Sequence, residues 1–364
     1  MNMQNILYPP MGIAHITKDI SDLFRHQIEG KQQIIIRSSS QPNSNPHIGS
    51  ITTIMCCFAL AEYLQNKFKI ECLVIYDLLE NSPGKKFDID NNTYQLSLSD
   101  LTDKEGEYSY EKYKGNFSFI FEVLKKKTKI DYLLRQYHDF QLLPIVRRTG
   151  IKFVHMQHDL NPLISPSENK LHIRFKCPRC QLTDKTSRHT RILEKSGNFI
   201  LFESYCPNHG SYNVQLTENN KEFIDFNTPL RDILQGVLSI EEDFHTGSLS
   251  IMLDGGDWSG VWALRVFCQG LLALGYPNIP NRIFAPIITD WSGAKFSKSL
   301  YVGSDAYKYL PPEYVDFPVF NTKYGDRGID FLYGEVTDWV ADTKKFFRNY
   351  SMEYISQRIK LSLD

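Results

Sequence analysis

The chain has 364 residues, of which 42% are hydrophobic and 23% charged, and its formal net charge is −1. This balance excludes a fibrous or intrinsically unstructured chain, and the length allows more than one substructure around a sizeable core. The near-neutral charge gives no global sign of nucleic-acid binding, so any such surface must be a local patch.

Residues 1–30 read as a helical lead-in. Met1 to Asn5 lack the basic segment and apolar run of a signal peptide. No uninterrupted apolar stretch approaches the roughly 20 residues of a membrane span. A soluble, cytoplasmic protein with no membrane partner is the expectation. Gln33–Arg37 reads as a short buried strand, followed by a polar Ser- and Pro-rich loop from Ser38 to Pro46. Ile48 to Phe68 has apolar residues at helical spacing, and Cys72–Tyr76 is a second strand ending at Asp77. This strand–loop–helix–strand order predicts the first half of a doubly wound parallel α/β sheet, Rossmann-like, with a ligand loop at the carboxyl end of the first strand.

Residues 78–222 break the pattern and read as an insertion between two sheet halves. Within it, apolar Phe119–Leu124 precedes Lys125–Lys129, a charge run of the kind that marks a solvated helix end. The second half spans 223–300, with a strand at Leu249–Leu253, a Gly-Gly turn, a helix at Val261–Leu274 and a strand near Ile283–Ile288. A tail, 301–364, has a predicted helix near Asp338–Phe347.

Two elements carry nucleotide chemistry. Pro46-His47-Ile48-Gly49-Ser50 opens the first helix directly after the loop. A helix start offers free N–H groups and partial positive charge to phosphate. Gly49 lets a nucleotide ring approach the backbone, and His47 can donate a hydrogen bond to a phosphate as charge develops. Lys295-Phe296-Ser297-Lys298-Ser299 places two ammonium groups three residues apart among hydroxyls, a set that can follow a triphosphate in a closing loop. The bland alternatives are a capping histidine and a solvated Lys/Ser turn. Their pairing at opposite ends of a split sheet favours the functional reading.

The seven cysteines are odd in number, which argues against a disulfide framework. Four lie in apolar runs. The other three, Cys177, Cys180 and Cys206, join His209 in two Cys-x-x-ligand knuckles suited to tetrahedral Zn²⁺. With no open coordination position, the expected role of the metal is structural. Gly210 suits the turn after the second knuckle.

The paired elements resemble the "HIGH" and "KMSKS" signatures of class I aminoacyl-tRNA synthetases, with Ser50 for the second histidine and Phe296 for methionine. Asp77-Leu78-Leu79-Glu80, Pro83-Gly84-Lys85, the cysteine cluster, Phe223–Phe226 with Pro229 and Arg231, and Asp254-Gly255-Gly256-Asp257-Trp258 resemble the class I lysyl type in particular. The resemblance covers roughly residues 30–310. It implies a sheet of the HUP type and an ATP-dependent ligase. With Mg²⁺ present, an amino acid, lysine first, would be adenylated and passed to tRNA or another acceptor. His47, Lys295 and Lys298 would stabilise phosphate. ATP would also meet Pro46, Gly49, Ser50, Gly255, Gly256, Asp257, Ser297 and Ser299. Ser38, Ser39 and Asp77 would lie near the amino acid, although a structural Asp ending a strand is an equal reading of Asp77.

Two departures shape the expectation. Ser50 is shorter than the usual residue, and only about 65 residues follow the lysine loop, where the family generally carries a large anticodon-reading domain. A catalytically inactive paralogue that binds nucleotide, amino acid or tRNA, and a small-molecule nucleotidyltransferase, are the rival readings.

Overall fold

The computed structural model describes residues 17, 19–102, 106–165, 167–168, 170–296 and 310–363. In chain order, a one-turn helix α1 (Arg25–Ile28) precedes strand β1 (Gln33–Ser40), helix α2 (Ile48–Phe68) and strand β2 (Glu71–Leu78). A hairpin of β3 (Pro83–Ile89) and β4 (Asn92–Ser97) leads to α3 (Ser109–Thr128) and β5 (Asp131–Gln136). Helices α4 (Tyr137–Leu142), α5 (Pro144–His155) and α6 (Gln157–Ile164) follow, then short strands β6 (Ile173–Phe175) and β7 (Thr183–Asp184). The antiparallel strands β8 (Arg191–Lys195), β9 (Phe199–Cys206) and β10 (Gly210–Thr217) come next. Strand β11 (Ile224–Phe226) and helix α7 (Thr228–Thr246) return the chain to β12 (Leu249–Gly255). A π-helical segment (Trp262–Cys268) continues as α8 (Gln269–Ala273), followed by β13 (Asn281–Ala285) and β14 (Ile288–Thr289). The tail holds α9 (Phe317–Val340), α10 (Thr343–Phe346), β15 (Tyr350–Ser351) and α11 (Met352–Leu363).

The central sheet is parallel throughout, in the order β13-β12-β1-β2-β5. The chain winds outward from β1 to β2 and β5, then crosses back to β12 and winds the other way to β13. The strand order therefore reverses between β1 and β12, and the crevice beyond their carboxyl ends is where such sheets take ligands. Side chains alternate across the sheet. Ile34, Ile36, Val74, Tyr76, Ile251 and Leu253 enter one core with α2, α3, α9 and α11. Met252 and Leu79 face a second core, built with α5, α7 and the π-helical segment.

Helix α2 is apolar because it lies inside the first core: Ile48, Ile54, Met55, Cys56, Cys57, Phe58, Leu60 and Leu64 have no more than traces of exposure. Each large aliphatic or aromatic side chain so placed contributes roughly 1.5–3 kcal/mol. By length and composition this helix also passes as a membrane-crossing segment, contrary to the sequence expectation, but 67% of its most apolar window is buried inside the fold. Both crossover helices of the first half end alike. Lys69 and Lys129 adopt left-handed backbone (φ 56° and 62°), and an Ile follows each before the next strand.

That likeness exposes a correction. Residues 109–136, assigned above to the insertion, belong to the parallel sheet. Phe117, Ile120, Phe121 and Leu124 of α3 pack in the first core, and β5 is the edge strand beside β2. The strand was hidden because Asp131-Tyr132-Leu133-Leu134-Arg135-Gln136 is only partly buried, as an edge strand is, and lacks a β-branched run. The lysine run is a solvated helix end as expected, and Lys125 pairs with Asp131 at 2.7 Å.

The tail also differs from expectation. Its main helix begins at Phe317, two dozen residues long with a kink at Gly325 (φ 54°), and it ends at Val340. Asp342 then breaks the path and caps α10 through a hydrogen bond from Lys344 N–H. Trp339, buried in the first core, stacks on Tyr350 with ring centroids 4.2 Å apart. Tyr350 lies in β15, which pairs in parallel with β14. The tail thus buttresses the strand from which the lysine loop departs.

Candidate functional site

A cavity of about 370 Å³ opens where the strand order reverses. Its walls include Ser38, Ser39 and Ser40 from the end of β1, His47, Gly49, Ser50 and Thr53 from the start of α2, and Thr228, Arg231, Asp232 and Gln235 from α7. Asp254, Gly255, Asp257 and Trp258 come from the end of β12, Arg282 from β13, and Ile287, Ile288, Lys295 and Phe296 from the loop region after it. Elements far apart in sequence converge here because every parallel strand delivers its carboxyl end to the same edge.

His47 is the N-cap of α2. Its backbone is extended, and Nδ1 accepts hydrogen bonds from the N–H groups of Gly49 (3.1 Å) and Ser50 (3.4 Å). Two of the first N–H groups of the helix, expected to be free for phosphate, are therefore occupied by this ring. With Nδ1 accepting, the imidazole carries its proton on Nε2. A Cβ added at Gly49 would stand 3.0–3.2 Å from the His47 ring, so glycine is what lets the ring fold back over the helix start. The same ring meets Phe296 edge-on, with centroids 5.3 Å apart. Phe296 is buried, and its N–H donates to Ile288 carbonyl at 2.8 Å. The aromatic residue that stands for methionine thus locks the first element to the second.

Lys295 Nζ pairs with Asp257 at 2.6 Å, both groups being partly exposed. Ser297, Lys298 and Ser299 lie outside the described residues. Pro46 and Gly256 are not cavity walls. Pro46 carbonyl instead accepts from Phe317 N–H at 3.0 Å, tying the loop to α9, and Gly256 turns the chain into Asp257.

Asp77 is likewise not a cavity wall. It sits opposite Arg135 in the β2–β5 register, is 4% exposed, and receives two hydrogen bonds from that guanidinium (2.7 and 3.0 Å) and one from Gln235 (3.1 Å). The physical reason is the unforeseen β5, whose arginine consumes the carboxylate. Asp77 borders only a separate void of about 10 Å³ beneath the cavity.

The sequence reading missed a buried charge cluster. Arg282 is held by Asp254 (2.8 Å) and Asp232 (2.9 Å), and its guanidinium lies 4.5 Å from the Phe267 ring centre. Trp262 Nε1–H also donates to Asp232 at 2.7 Å. Burial raises the Asp254 carboxyl to about 6, with Asp232 adding to the rise and Arg282 opposing it. Only the position of Asp254 inside the Asp-Gly-Gly-Asp run hinted at this. Arg282 and Asp232 had no local signal, because their meaning lies in the sheet order. The buried hydroxyls of Ser38 and Ser40 make no hydrogen bond of good geometry; they lie near Cys57 and Tyr76, whose pKa values burial pushes up and the hydroxyls only partly oppose.

The second cluster is remote in kind. Cys177 and Cys180 stand on the turn between β6 and β7, Cys206 ends β9, and His209 precedes β10. Cys180 Sγ is 3.6 Å from Cys206 Sγ, and His209 Nδ1 is 3.4 Å from Cys177 Sγ and 3.6 Å from Cys206 Sγ. A tetrahedral ion with metal–sulfur and metal–nitrogen bonds of about 2.3 and 2.0–2.1 Å requires separations of about 3.8 Å (S···S) and 3.5 Å (S···N). The four donors, all within 4.8 Å of one another, fit that requirement. Both turns use left-handed backbone: Gly210 at φ 77°, as expected, and Gln181 at φ 63°, whose N–H donates to Cys177 carbonyl at 2.9 Å.

No family model matches the chain, and no curated protein matches it in sequence. Among solved structures, a Campylobacter jejuni chain provisionally described as an arginyl-tRNA synthetase matches with TM-score 0.42 and 10% identity, over 88% of this chain and 65% of its own. Mycobacterium tuberculosis methionyl-tRNA synthetase bound by methionyl-adenylate matches with TM-score 0.42 and 12% identity, over 91% and 68%. Another structure of that enzyme with methionyl-adenylate gives TM-score 0.43 and 12% identity, over 90% and 68%. The chain spans about two thirds of the length of each of these similar structures.

Proposed function

We propose that this chain is an aminoacyl-tRNA synthetase-like ligase that activates an amino acid with ATP. The observation that carries the reading is the meeting of His47 and the Lys295-Phe296 segment across the crevice at the point of strand reversal. One carboxylate oxygen of the amino acid attacks the α-phosphorus in line. The bond from that phosphorus to the bridging oxygen breaks, and pyrophosphate leaves with the electron pair. The protein contributes position and charge and forms no covalent intermediate. His47 donates from Nε2 to a phosphate oxygen, and Lys295 exchanges Asp257 for the triphosphate. Lys298, Ser297 and Ser299 extend the same grip. Gly49, Gly255 and Asp257 frame the adenosine, and Ser38 and Ser39 border the amino acid. Mg²⁺ enters with ATP. Zn²⁺ on Cys177, Cys180, Cys206 and His209 has no open position and fastens the β6–β10 region. The seven unpaired thiols suit a reducing, cytoplasmic setting. The acceptor is tRNA or another nucleophile, and lysine is the amino acid that the family resemblance names first.

Amino-acid-dependent exchange of labelled pyrophosphate into ATP, run with zinc-loaded protein across the common amino acids, tests the reading. Exchange with at least one is expected; none with any would end it. One observation favours a second reading, a paralogue that binds without turnover: the phosphate-binding groups are engaged within the protein, Lys295 by Asp257 and the α2 N–H groups by His47. Calorimetric binding of ATP without exchange would favour that reading.

A further inference from the structure

The cavity has three carboxylates and three fixed cations among its described walls, and they are unevenly matched. Asp232 and Asp254 share Arg282, and Asp257 holds Lys295. Among the described residues, Arg231 has no carboxylate within ion-pair distance. It is 5% exposed, in the first turn of α7, and its side-chain contacts are a 3.4 Å hydrogen bond to Thr228 Oγ1 and the Tyr137 ring 6.0 Å away. The nearby Asp225 is taken by Arg174 at 2.8 Å. A buried guanidinium without a direct ion pair is costly, and burial draws its pKa below the usual arginine value against the pull of the more distant Asp225 and Asp232. A fold tolerates that cost where a ligand supplies the missing anion. The two carboxylates that share one arginine leave the opposite imbalance, a negative charge suited to an ammonium group.

Resting on the adenylation reading above, we infer that the activated substrate is a dicarboxylic amino acid. Arg231 binds its side-chain carboxylate, and the Asp232–Asp254 pair receives its α-ammonium. The α-carboxylate is then left to face the nucleotide beside His47 and Lys295. Lysine fits this charge pattern poorly. Its side-chain ammonium would meet Arg231 or have to displace an arginine or lysine from a carboxylate that is already paired.

The test combines exchange with direct binding. Pyrophosphate exchange is expected with glutamate or aspartate and not with lysine. Arg231→Gln should raise KM for that amino acid on the order of 100-fold while leaving KM for ATP within a few-fold, because a buried charge-assisted contact to the side chain is lost. Arg231→Lys, which keeps the charge, should recover part of the loss, and circular dichroism checks that both variants fold. Exchange with lysine or a neutral amino acid but neither dicarboxylate would overturn the inference while leaving the adenylation reading intact. If no amino acid supports exchange, the adenylation reading fails and calorimetry decides the site. Glutamate or aspartate binding that is lost in Arg231→Gln upholds it. No binding of either, equal binding by the variant, or binding of inorganic phosphate alone overturns it.

Discussion

The four metal-type ligands come from two short turns, residues 177–181 and 206–210, each closed by its own hydrogen bond, from Gln181 N–H to Cys177 carbonyl and from His209 N–H to Cys206 carbonyl. The crevice takes its walls from residues 38 to 296, brought together from several strand ends and helix starts. The first cluster forms wherever its two turns approach each other. The second exists only when five strands are ordered correctly and the tail supports β14. The knuckles should therefore fail locally, and the crevice should register any disturbance of the sheet.

Metal removal breaks this comparison most forcefully. Structural zinc in such sites is worth about 10 kcal/mol or more of folding free energy. Chelation, or Cys206→Ser, is expected to release the ion and abolish amide protection across the β3–β4 hairpin and at the knuckle end of β9 and β10. The hairpin packs through Tyr94 on Leu182 and the cysteines, whereas β9 and β10 also place Ile200, Phe202, Val214 and Leu216 in the second core. ATP binding at the crevice should weaken less than tenfold. Hydrogen exchange read with calorimetry checks this. A single cooperative loss of protection over both regions would show that the two are one unit, coupled through Asn81, Asp225 and Arg174.

The next effect belongs to the crevice alone. Lys295→Ala removes a cation that pairs with Asp257 at rest and, on the proposed mechanism, meets phosphate in the reaction. Pyrophosphate exchange should fall by about 10²–10³, the range for one lost electrostatic contact to a developing charge. Because Lys295 is 45% exposed, thermal stability should hardly change. An activity loss below tenfold would remove Lys295 from the phosphate-binding set.

The same contrast explains what was legible in the sequence. Cys-x-x-Cys and Cys-x-x-His spacing encodes its own geometry, so all four members of the cluster could be named from the chain. β1, α2, β2 and β12 were legible because their apolar runs are long and largely buried. β5 was not, since an edge strand with charged ends carries a weak signal. From that omission follows the undecided reading of Asp77, whose partner Arg135 lies on β5. Asp232 and Arg282, and the charge role of Arg231, were illegible for a deeper reason: an arginine has no local signature until the strand order shows which carboxylates face it. The capping by His47 was offered as the bland alternative to phosphate binding, yet the structure lets one ring cap the helix and line the cavity.

The smallest expected effect separates the two regions by pH. Asp254 is shifted from an ordinary carboxyl value near 3.8 to about 6, mainly by burial. Because the folded form holds its proton more tightly, Asp254 contributes stability that is fully present below about pH 4 and is lost as pH rises through about 6. Asp254→Asn cannot ionise and lacks that loss, while Arg282 keeps Asp232. The stability of the variant relative to wild type should therefore climb between pH 4 and 6.5, by at most about 3 kcal/mol at 1.36 kcal/mol per pKa unit. Weakening of the Arg282 contact lowers the whole difference without changing its slope. Whatever the metal cluster contributes is common to both proteins and cancels in the subtraction, so the slope reports the crevice and not the cluster. Urea denaturation of zinc-loaded wild type and variant at half-unit pH steps measures it. A flat difference would mean that Asp254 ionises at an ordinary carboxyl value, the Arg282 contact offsetting its burial.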